Sequence, residues 1–378
     1  MISNFWYAVA MLAGTIVGVG VFGLPYVAWH AGFFVEAAYL GALFLVFVCL
    51  HLMFGEIILR TGTRHRLAGY VRLYLGERMQ KLTILTTTFG FLGGMLVYIL
   101  VGGKFLDVLF NGFLSVPAYS YLVFWAIGSC LIFLGLKAIK RSELIMLFFM
   151  VAAIAVLVIG GIKKISFDNF FTFDSSRIFL PYGITLFALA GIAAVPAVRD
   201  ILEGSEKKIK KALILGTALP ALFYVLFVAL VLGVSGGAVS EDAISGLKNV
   251  LGGPVVFIGA LFGVFTVATS YITFGLYLKD MFVYDLGINK ILAFLFILLA
   301  PIALVFLHSD SFIVVLGFLG AIFGGLESIF LIYTYKKARQ KGDRTPEYSY
   351  NIPMPLLNLL IAVFVLGIFY TLFFDGKV

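Results

Sequence analysis

Between Gly14 and Pro25 the chain reads Gly-Thr-Ile-Val-Gly-Val-Gly-Val-Phe-Gly-Leu-Pro, in the middle of an apolar run from Asn4 to about Trp29. Such a run is long enough to cross a bilayer, for which roughly 20 residues suffice. It is nonetheless a poor helix, because glycine costs roughly 1 kcal/mol against alanine in a helix interior and proline roughly 3. Four glycines and a proline within twelve residues invite it to open near Gly18 to Gly23. Open backbone at membrane depth is tolerated only where it is buried in protein or lines a watery cavity. The stretch therefore reads as half of a binding site. Small residues spaced as in Gly14-x-x-x-Gly18 also let two helices pack closely, and only a second copy of the pattern separates the two readings.

The rest of the chain is equally apolar. With 62% hydrophobic and 12% charged residues it lies far from a soluble domain, whose charged fraction is roughly 25%. An all-α polytopic membrane protein is expected, forming one transmembrane domain over 1–378. No cleavable signal peptide is expected, because Met1 to Asn4 lacks a basic region. Cys49 and Cys130 lie in apolar runs and read as packing residues. In a protein of the lipid bilayer the net charge of +8 need not mean nucleic acid, since cytoplasmic loops of membrane proteins carry an excess of Lys and Arg.

Periodicity and breakers predict eleven spans, at about 4–29, 33–59, 82–110, 117–136, 142–162, 178–198, 210–235, 253–280, 289–307, 311–335 and 353–374. With the N-terminus cytoplasmic, 21 of the 27 Lys and Arg fall in cytoplasmic connections. Only Lys163, Lys164, Arg177, Lys248 and Lys377 lie outside, and Lys104 is within a span. The positive-inside rule thus places the N-terminus inside and the C-terminus outside.

Span six reads Pro181-Tyr-Gly-Ile-Thr-Leu-Phe-Ala-Leu-Ala-Gly-Ile-Ala-Ala-Val-Pro196, again small residues at the centre and a closing proline. Five spans separate the two starts, so the second set runs through the membrane in the opposite sense. Matching interrupted helices in two halves of opposite topology point to an inverted-repeat transporter with its site at the midplane. Repeat one covers about 4–162, repeat two about 178–335, and the helix at about 353–374 is an appendage.

The pattern Gly-x-x-Val-Gly-x-Gly-Val-Phe-Gly-Leu-Pro-Tyr-x-x-x-x-x-Gly-Phe, Gly14 to Phe33, resembles the first helix of the amino acid/auxin permease family, within the amino acid–polyamine–organocation superfamily. It is also similar to that of the bacterial aromatic and hydroxy amino acid permeases. Gly55-Glu56, Tyr98 with Gly102-Gly103, Gly191 to Pro196, Thr269-Ser270 and Lys279-Asp280 extend the resemblance over nearly the whole chain. It implies the five-plus-five inverted-repeat fold of the bacterial leucine transporter, with helices 1 and 6 broken, and movement of amino acids with H+ or Na+. Span six here lacks polar side chains at its break, leaving an apolar pocket around Phe187, Ala190, Gly191 and Ile192.

An amino acid zwitterion needs two complements. Free N–H groups at a helix start suit its carboxylate, and Val17, Gly18, Val19, Gly20, Val21 and Phe22 are expected to supply them. Carbonyls at the span-six break, near Ala188 to Ile192, suit its ammonium. Tyr98 is a candidate donor to the carboxylate, or else bonds a neighbouring helix. Phe22, Phe187 and Tyr271 are candidate aromatic walls, each also open to plain packing. Thr269 and Ser270, facing carbonyls between Gly14 and Val17, are candidate sodium ligands, unless their hydroxyls bond back to their own helix. Ionisable groups within spans raise functional hypotheses by default. Glu327, without a local partner, leads for proton coupling and His51, which titrates near neutrality, follows. Lys104 and Asp107 are expected to pair on one helix face, and Glu56 with Arg60. Gly20→Leu is expected to abolish transport while leaving the protein folded.

The expected function is therefore secondary active symport of neutral amino acids, aromatic or branched, across the cell membrane, with no cofactor beyond the coupling ion. The same fold also carries other small solutes and metal ions, but a metal transporter wants hard or sulfur ligands at both breaks, and neither Gly14 to Pro25 nor Gly183 to Pro196 holds an acid, Asn or Met. A membrane enzyme needs clustered His, Asp or Glu, whereas His30, His51, His65 and His308 fall in different segments. A channel is the remaining alternative.

Overall fold

The computed structural model describes residues 3–110, 117–134, 136–307 and 311–374. His308 and Lys377 of the preceding section lie outside them. The regular elements of the described residues are all helical, in the order α1 (Asn4–Ile16), α2 (Gly20–Ala31), α3 (Phe33–Leu59), α4 (Leu67–Leu75), α5 (Glu77–Leu109), α6 (Pro117–Leu134), α7 (Leu136–Gly161), α8 (Leu180–Leu189), α9 (Val195–Ile201), α10 (Ile209–Ser235), α11 (Lys248–Leu251), α12 (Gly253–Asp280), α13 (Lys290–Leu307), α14 (Phe312–Phe318), α15 (Gly325–Lys341) and α16 (Met354–Phe373), with short 3-10 and π turns between some of them. Helices lie over each of the eleven expected segments. Among the described residues, seven helices are long and apolar enough to cross a membrane, eight with α1 and α2 taken as one span, and two shorter apolar helices accompany them.

Two segments are interrupted where glycine weakens the helix. The chain bends by 49° between α1 and α2, with Val17 outside helical geometry at φ −73°, ψ 77°. The sixth segment stops at Leu189. Ala190 is extended, a 3-10 turn runs over Ile192–Ala194, and α9 follows with Pro196 in its first turn, where a proline costs no hydrogen bond. A third irregularity is a π-helical turn at Leu319–Gly324, between α14 and α15. Its Gly320 faces the Gly183 carbonyl of α8 so closely that no side chain fits between them.

α4 was not expected, because its nine residues carry charge and form no long apolar run. It is amphipathic, burying Leu67, Ala68, Tyr70, Val71 and Tyr74 at the helical spacing. Its N-terminus is capped from afar. Asp285, at the end of a π turn after α12, accepts from the backbone N–H of Arg66 at 3.2 Å and of Gly69 at 3.0 Å, a carboxylate where the helix dipole favours one.

The connection from α15 to α16 runs back along α3. Arg344 donates from its backbone to the Arg60 carbonyl at 3.2 Å, the Tyr348 hydroxyl donates to Leu52, and Gly55 has no Cβ to obstruct that hydroxyl. Fully buried Glu56 accepts from Arg60 Nε at 2.7 Å, Ser349 Oγ at 3.2 Å and the Tyr350 N–H at 2.6 Å. The expected Glu56–Arg60 pair is thus part of a fastening. Lys104 and Asp107 form no ion pair among the described residues; Lys104 is exposed and lies over the Phe312 ring, 5.6 Å from its centroid. A flexible exposed ammonium gains little from a surface carboxylate, and the ring of α14 offers an alternative.

Candidate functional site

The two interruptions meet. A Cβ placed on Gly20 would lie 2.6 Å from Ala188 Cα, so the start of α2 touches the end of α8 backbone to backbone. The fully buried Tyr224 of α10 closes the junction, its hydroxyl 2.7 Å from the Ile16 carbonyl oxygen and 2.9 Å from that of Ala188. One hydroxyl proton serves one carbonyl at a time, leaving the other an acceptor. The first turn of α2 leaves N–H groups of Val19, Gly20 and Val21 without intrahelical acceptors. Val17, Val19 and Val21 point their side chains into the core. Gly20 is needed for helix contact, so the expectation that Gly20→Leu would leave the fold intact is corrected: its Cβ would strike Ala188, not only a ligand.

Gly18 sits against α5 and α12. A Cβ there would approach Ser270 Oγ to 2.9 Å and the Tyr98 hydroxyl to 3.1 Å, and Tyr98 hydrogen-bonds Ser270. The Ser270 hydroxyl is 3.4 Å from the carbonyl oxygens of both Gly14 and Thr15, long for a hydrogen bond between oxygens. The Thr269 hydroxyl donates instead to the Thr266 carbonyl, at 3.1 Å. The two expected ion ligands therefore differ: Ser270 faces the first break, and Thr269 bonds back within its helix.

His51 lies deep in α3. Its Nδ1 is 2.8 Å from the Thr217 hydroxyl, which itself donates to the Leu213 carbonyl at 2.8 Å. With that proton committed, Nδ1 must carry the ring proton and donate. Nε2 is left as a lone-pair acceptor, buried and without a partner. A Cβ at Gly191 would be 3.0 Å from it, so the acceptor faces the span-six break.

Beside the break is a cavity with about 40 Å3 of room, walled by Phe91, Phe187, Phe274 and Phe323 and backed by Ala190, Ile192 and Ala193, with Thr87 and Glu327 also lining it. That volume admits water, not an amino acid side chain. A second cavity of about 330 Å3 shares Ala193 with the first and is lined also by Thr273, Arg64, Arg66, Asp200 and Asp280, where Arg66 pairs with Asp280 at 2.5 Å and Arg64 with Asp200 at 3.6 Å.

Of the three expected aromatic walls, only Phe187 lines the cavity. Phe22 packs edge-on against Phe105, Phe227 and Phe262, with centroids 4.7, 6.3 and 5.9 Å away, and Tyr271 turns toward α6, meeting Phe124 and the Ser129 hydroxyl. Phe22 is thus taken up by α5, α10 and α12, and Tyr271 by α6, so neither ring reaches the cavity. Phe91, Phe274, Phe323 and Tyr224 take part where sequence reasoning named none of them. Among ionisable residues it also missed Glu36, fully buried in α3, whose two oxygens are 3.1 and 3.2 Å from the Thr185 hydroxyl of α8. An acid inside an apolar run is a signal in itself.

Comparison with known proteins agrees with this architecture. Along 97% of this chain and 90% of the other, the structure is similar to Mhp1, a nucleobase-cation-symport-1 family transporter, in a closed conformation with bromovinylhydantoin bound, at TM-score 0.68 and 12% identity. It is similar to MhsT in complex with L-phenylalanine over 96% of this chain and 98% of the other, at TM-score 0.70 and 15% identity. These likenesses fix the leucine-transporter type of fold. In sequence, the chain is 23% identical over 383 residues to tyrosine-specific transport system 1 of Haemophilus influenzae, covering 96% of this chain and 94% of that one. It is 22% identical over 333 residues to glutamine transporter 2 of Aliivibrio fischeri, covering 82% and 83%. The model of the tryptophan/tyrosine permease family matches residues 1–374. With the fold, the broken segments and that match over nearly its full length, the chain belongs to the tryptophan/tyrosine permease family, a family of membrane transporters and not of enzymes.

Proposed function

We propose that this permease is a secondary active symporter of neutral amino acids with aromatic or amide side chains, binding the substrate where α1, α2, α8 and α9 meet. The observation that carries this reading is the junction itself: N–H groups at the start of α2 and the Tyr98 hydroxyl offer donors to a carboxylate, while the Ile16 and Ala188 carbonyls offer acceptors to an ammonium. Relatives named for tyrosine and for glutamine transport support an amino acid as the substrate. Val17, Gly18, Val19, Gly20 and Val21 contribute backbone, and Phe187, Ala190, Gly191 and Ile192 border the side chain. The two repeats, about 4–162 and 178–335, account for the paired breaks.

For the coupling ion we infer a proton, taken up by the unpartnered acceptors His51 Nε2 and Glu327 Oε1. Sodium is the second reading, favoured by Ser270 facing the Gly14 and Thr15 carbonyls, with Val17 as a further backbone ligand and Thr269 engaged with Thr266 instead. The excess of Lys and Arg at one end of the bundle supports a cytoplasmic position for that end in a plasma-membrane protein. In that orientation the larger cavity is a vestibule toward the cytoplasm and the conformation is inward-facing.

The test is uptake of labelled tyrosine, phenylalanine, glutamine and leucine into proteoliposomes under a sodium gradient, then under a proton gradient alone. Accumulation under the proton gradient supports the proposal; accumulation only with sodium transfers coupling to the Ser270 site, and no uptake of any amino acid refutes the substrate assignment.

A further inference from the structure

The cavity beside the span-six break is apolar everywhere except at one corner. Aromatic rings from α5, α8, α12 and the π turn wall it, and against them stand Glu327 of α15 and the Thr87 hydroxyl of α5. Glu327 is 9% exposed; the Thr87 hydroxyl stands toward its carboxyl, and among the described residues no other polar group matches Glu327 Oε1 or Thr87 Oγ1. Leaving a buried oxygen unmatched costs on the order of 1–3 kcal/mol, more for a charged group. No Lys, Arg or His lines the cavity to neutralise the acid. The π turn at Leu319–Gly324 immediately precedes the helix that carries Glu327, and such turns recur at functional positions in helices. Its Gly320 and Gly324 pack on α8 at Gly183 and Leu186, so the acid's helix is registered against the broken segment that borders the substrate.

We propose that Glu327 is a specificity-determining contact: its carboxyl is the acceptor for a hydrogen-bond donor at the far end of the substrate's side chain, a phenol hydroxyl, an indole N–H or a carboxamide. This deepens, and rests on, the assignment of an amino acid to the junction of the two breaks. The rings give apolar contact along the side chain and the acid gives one polar anchor at its tip, the division of labour usual in small-molecule pockets. Whichever oxygen carries a proton, the other remains an acceptor, so the contact does not depend on which ion drives transport. The pocket must widen from about 40 Å3 to admit a side chain, by movement of the rings that wall it, Phe91, Phe187, Phe274 and Phe323. A site built to hydrogen-bond a substrate group discriminates strongly against the analogue that lacks it, because the buried acceptor is then left unpaired.

Binding measured by competition in detergent-solubilised protein tests this without a gradient. The pairs are tyrosine against phenylalanine and glutamine against methionine, each differing at the tip. In the unaltered protein the donor-bearing member of at least one pair is expected to bind roughly 10- to 100-fold tighter. Glu327→Leu is expected to bring that ratio to about 1 by weakening the donor-bearing member while the other binds as well or better. Glu327→Gln, which keeps a carbonyl acceptor, is expected to retain most of it. A ratio unchanged in Glu327→Leu, or no preference in the unaltered protein, overturns the assignment. Equal weakening of both members by Glu327→Leu also overturns it, since that is the signature of a structural or proton-coupling role and not of a contact to the side-chain tip. If the unaltered protein binds no amino acid at all, the underlying substrate reading fails with it, and that outcome is distinct from loss of the ratio alone.

Discussion

The hydroxyl of Tyr224 stands 2.7 Å from the carbonyl oxygen of Ile16, the last residue of α1. The same hydroxyl is 2.9 Å from the Ala188 carbonyl, so a residue of the seventh segment ties together the loose ends of the first and the sixth. A helix end leaves its last carbonyls without intrahelical partners, and inside a bilayer water is not at hand to replace them.

Tyr224→Phe should keep the ring packed while removing its hydroxyl. Two buried carbonyls then share no donor from α10, at a cost of about 1–3 kcal/mol. The expected result is a fall in uptake of roughly tenfold or more, with normal membrane insertion and elution on gel filtration. Unchanged uptake kinetics would mean that the carbonyls find other partners and that the bridge is incidental.

Gly20→Ala adds only a methyl group, but its Cβ would sit 2.6 Å from Ala188 Cα and 2.7 Å from Ala188 Cβ. Cores built of backbone cannot yield as flexible side chains do. A loss of thermal stability together with loss of uptake is expected. Gly41→Ala is the matched control, since nothing lies within 4 Å of a Cβ there, and it should behave like the unaltered protein. Equal behaviour of the two variants would remove the claim that α2 and α8 meet through glycine.

Much of the fold was legible because glycine and proline act locally. The poor helicity of Gly14 to Pro25 and of the stretch ending in Pro196 needs no partner to be seen, and both segments open where these residues cluster. The aromatic lining was not legible, because 40 Phe share one composition and only rotation about the helix axis separates Phe274, in the cavity, from Tyr271, which faces α6. Tyr224 escaped for a related reason: its partners are carbonyls, which leave no mark in a sequence, and Ile16 lies 208 residues away. Glu36 carried the signal of an acid in an apolar run, but its partner Thr185 is an ordinary hydroxyl on a distant segment. Lys104 and Asp107 show the converse, helical spacing that permits a pair without enforcing one.

The fastening at Glu56 makes a prediction about stability rather than transport. Its carboxylate accepts from Arg60, Ser349 and the Tyr350 N–H. Removing one member of a buried charged set costs about 3–5 kcal/mol. Glu56→Ala is expected to lower the midpoint of thermal unfolding markedly and to expose the 342–352 connection to protease, with the ranking of substrates unchanged in whatever protein survives. A changed substrate ranking would instead connect this connection to the binding site.

The coupling ion can be read from Ser270, Thr269 and His51 together. If sodium is bound at the first break, Ser270→Ala removes an oxygen that faces the Gly14 and Thr15 carbonyls, and the sodium concentration for half-maximal uptake should rise roughly tenfold or more, by the 1–3 kcal/mol that a lost buried partner is worth. Thr269→Val should matter less, because that hydroxyl is engaged with Thr266. If a proton drives uptake, neither change creates a sodium dependence, and the sensitive residue is His51, whose Nε2 lone pair faces Gly191. His51→Asn is expected to abolish accumulation against a gradient while sparing exchange of labelled for unlabelled amino acid, since exchange needs substrate binding but no net proton movement. Loss of exchange and accumulation alike in His51→Asn would place the imidazole in substrate binding. Retention of both would return coupling to the acid at Glu327 or to the Ser270 oxygens, a choice then made by the sodium dependence of Ser270→Ala.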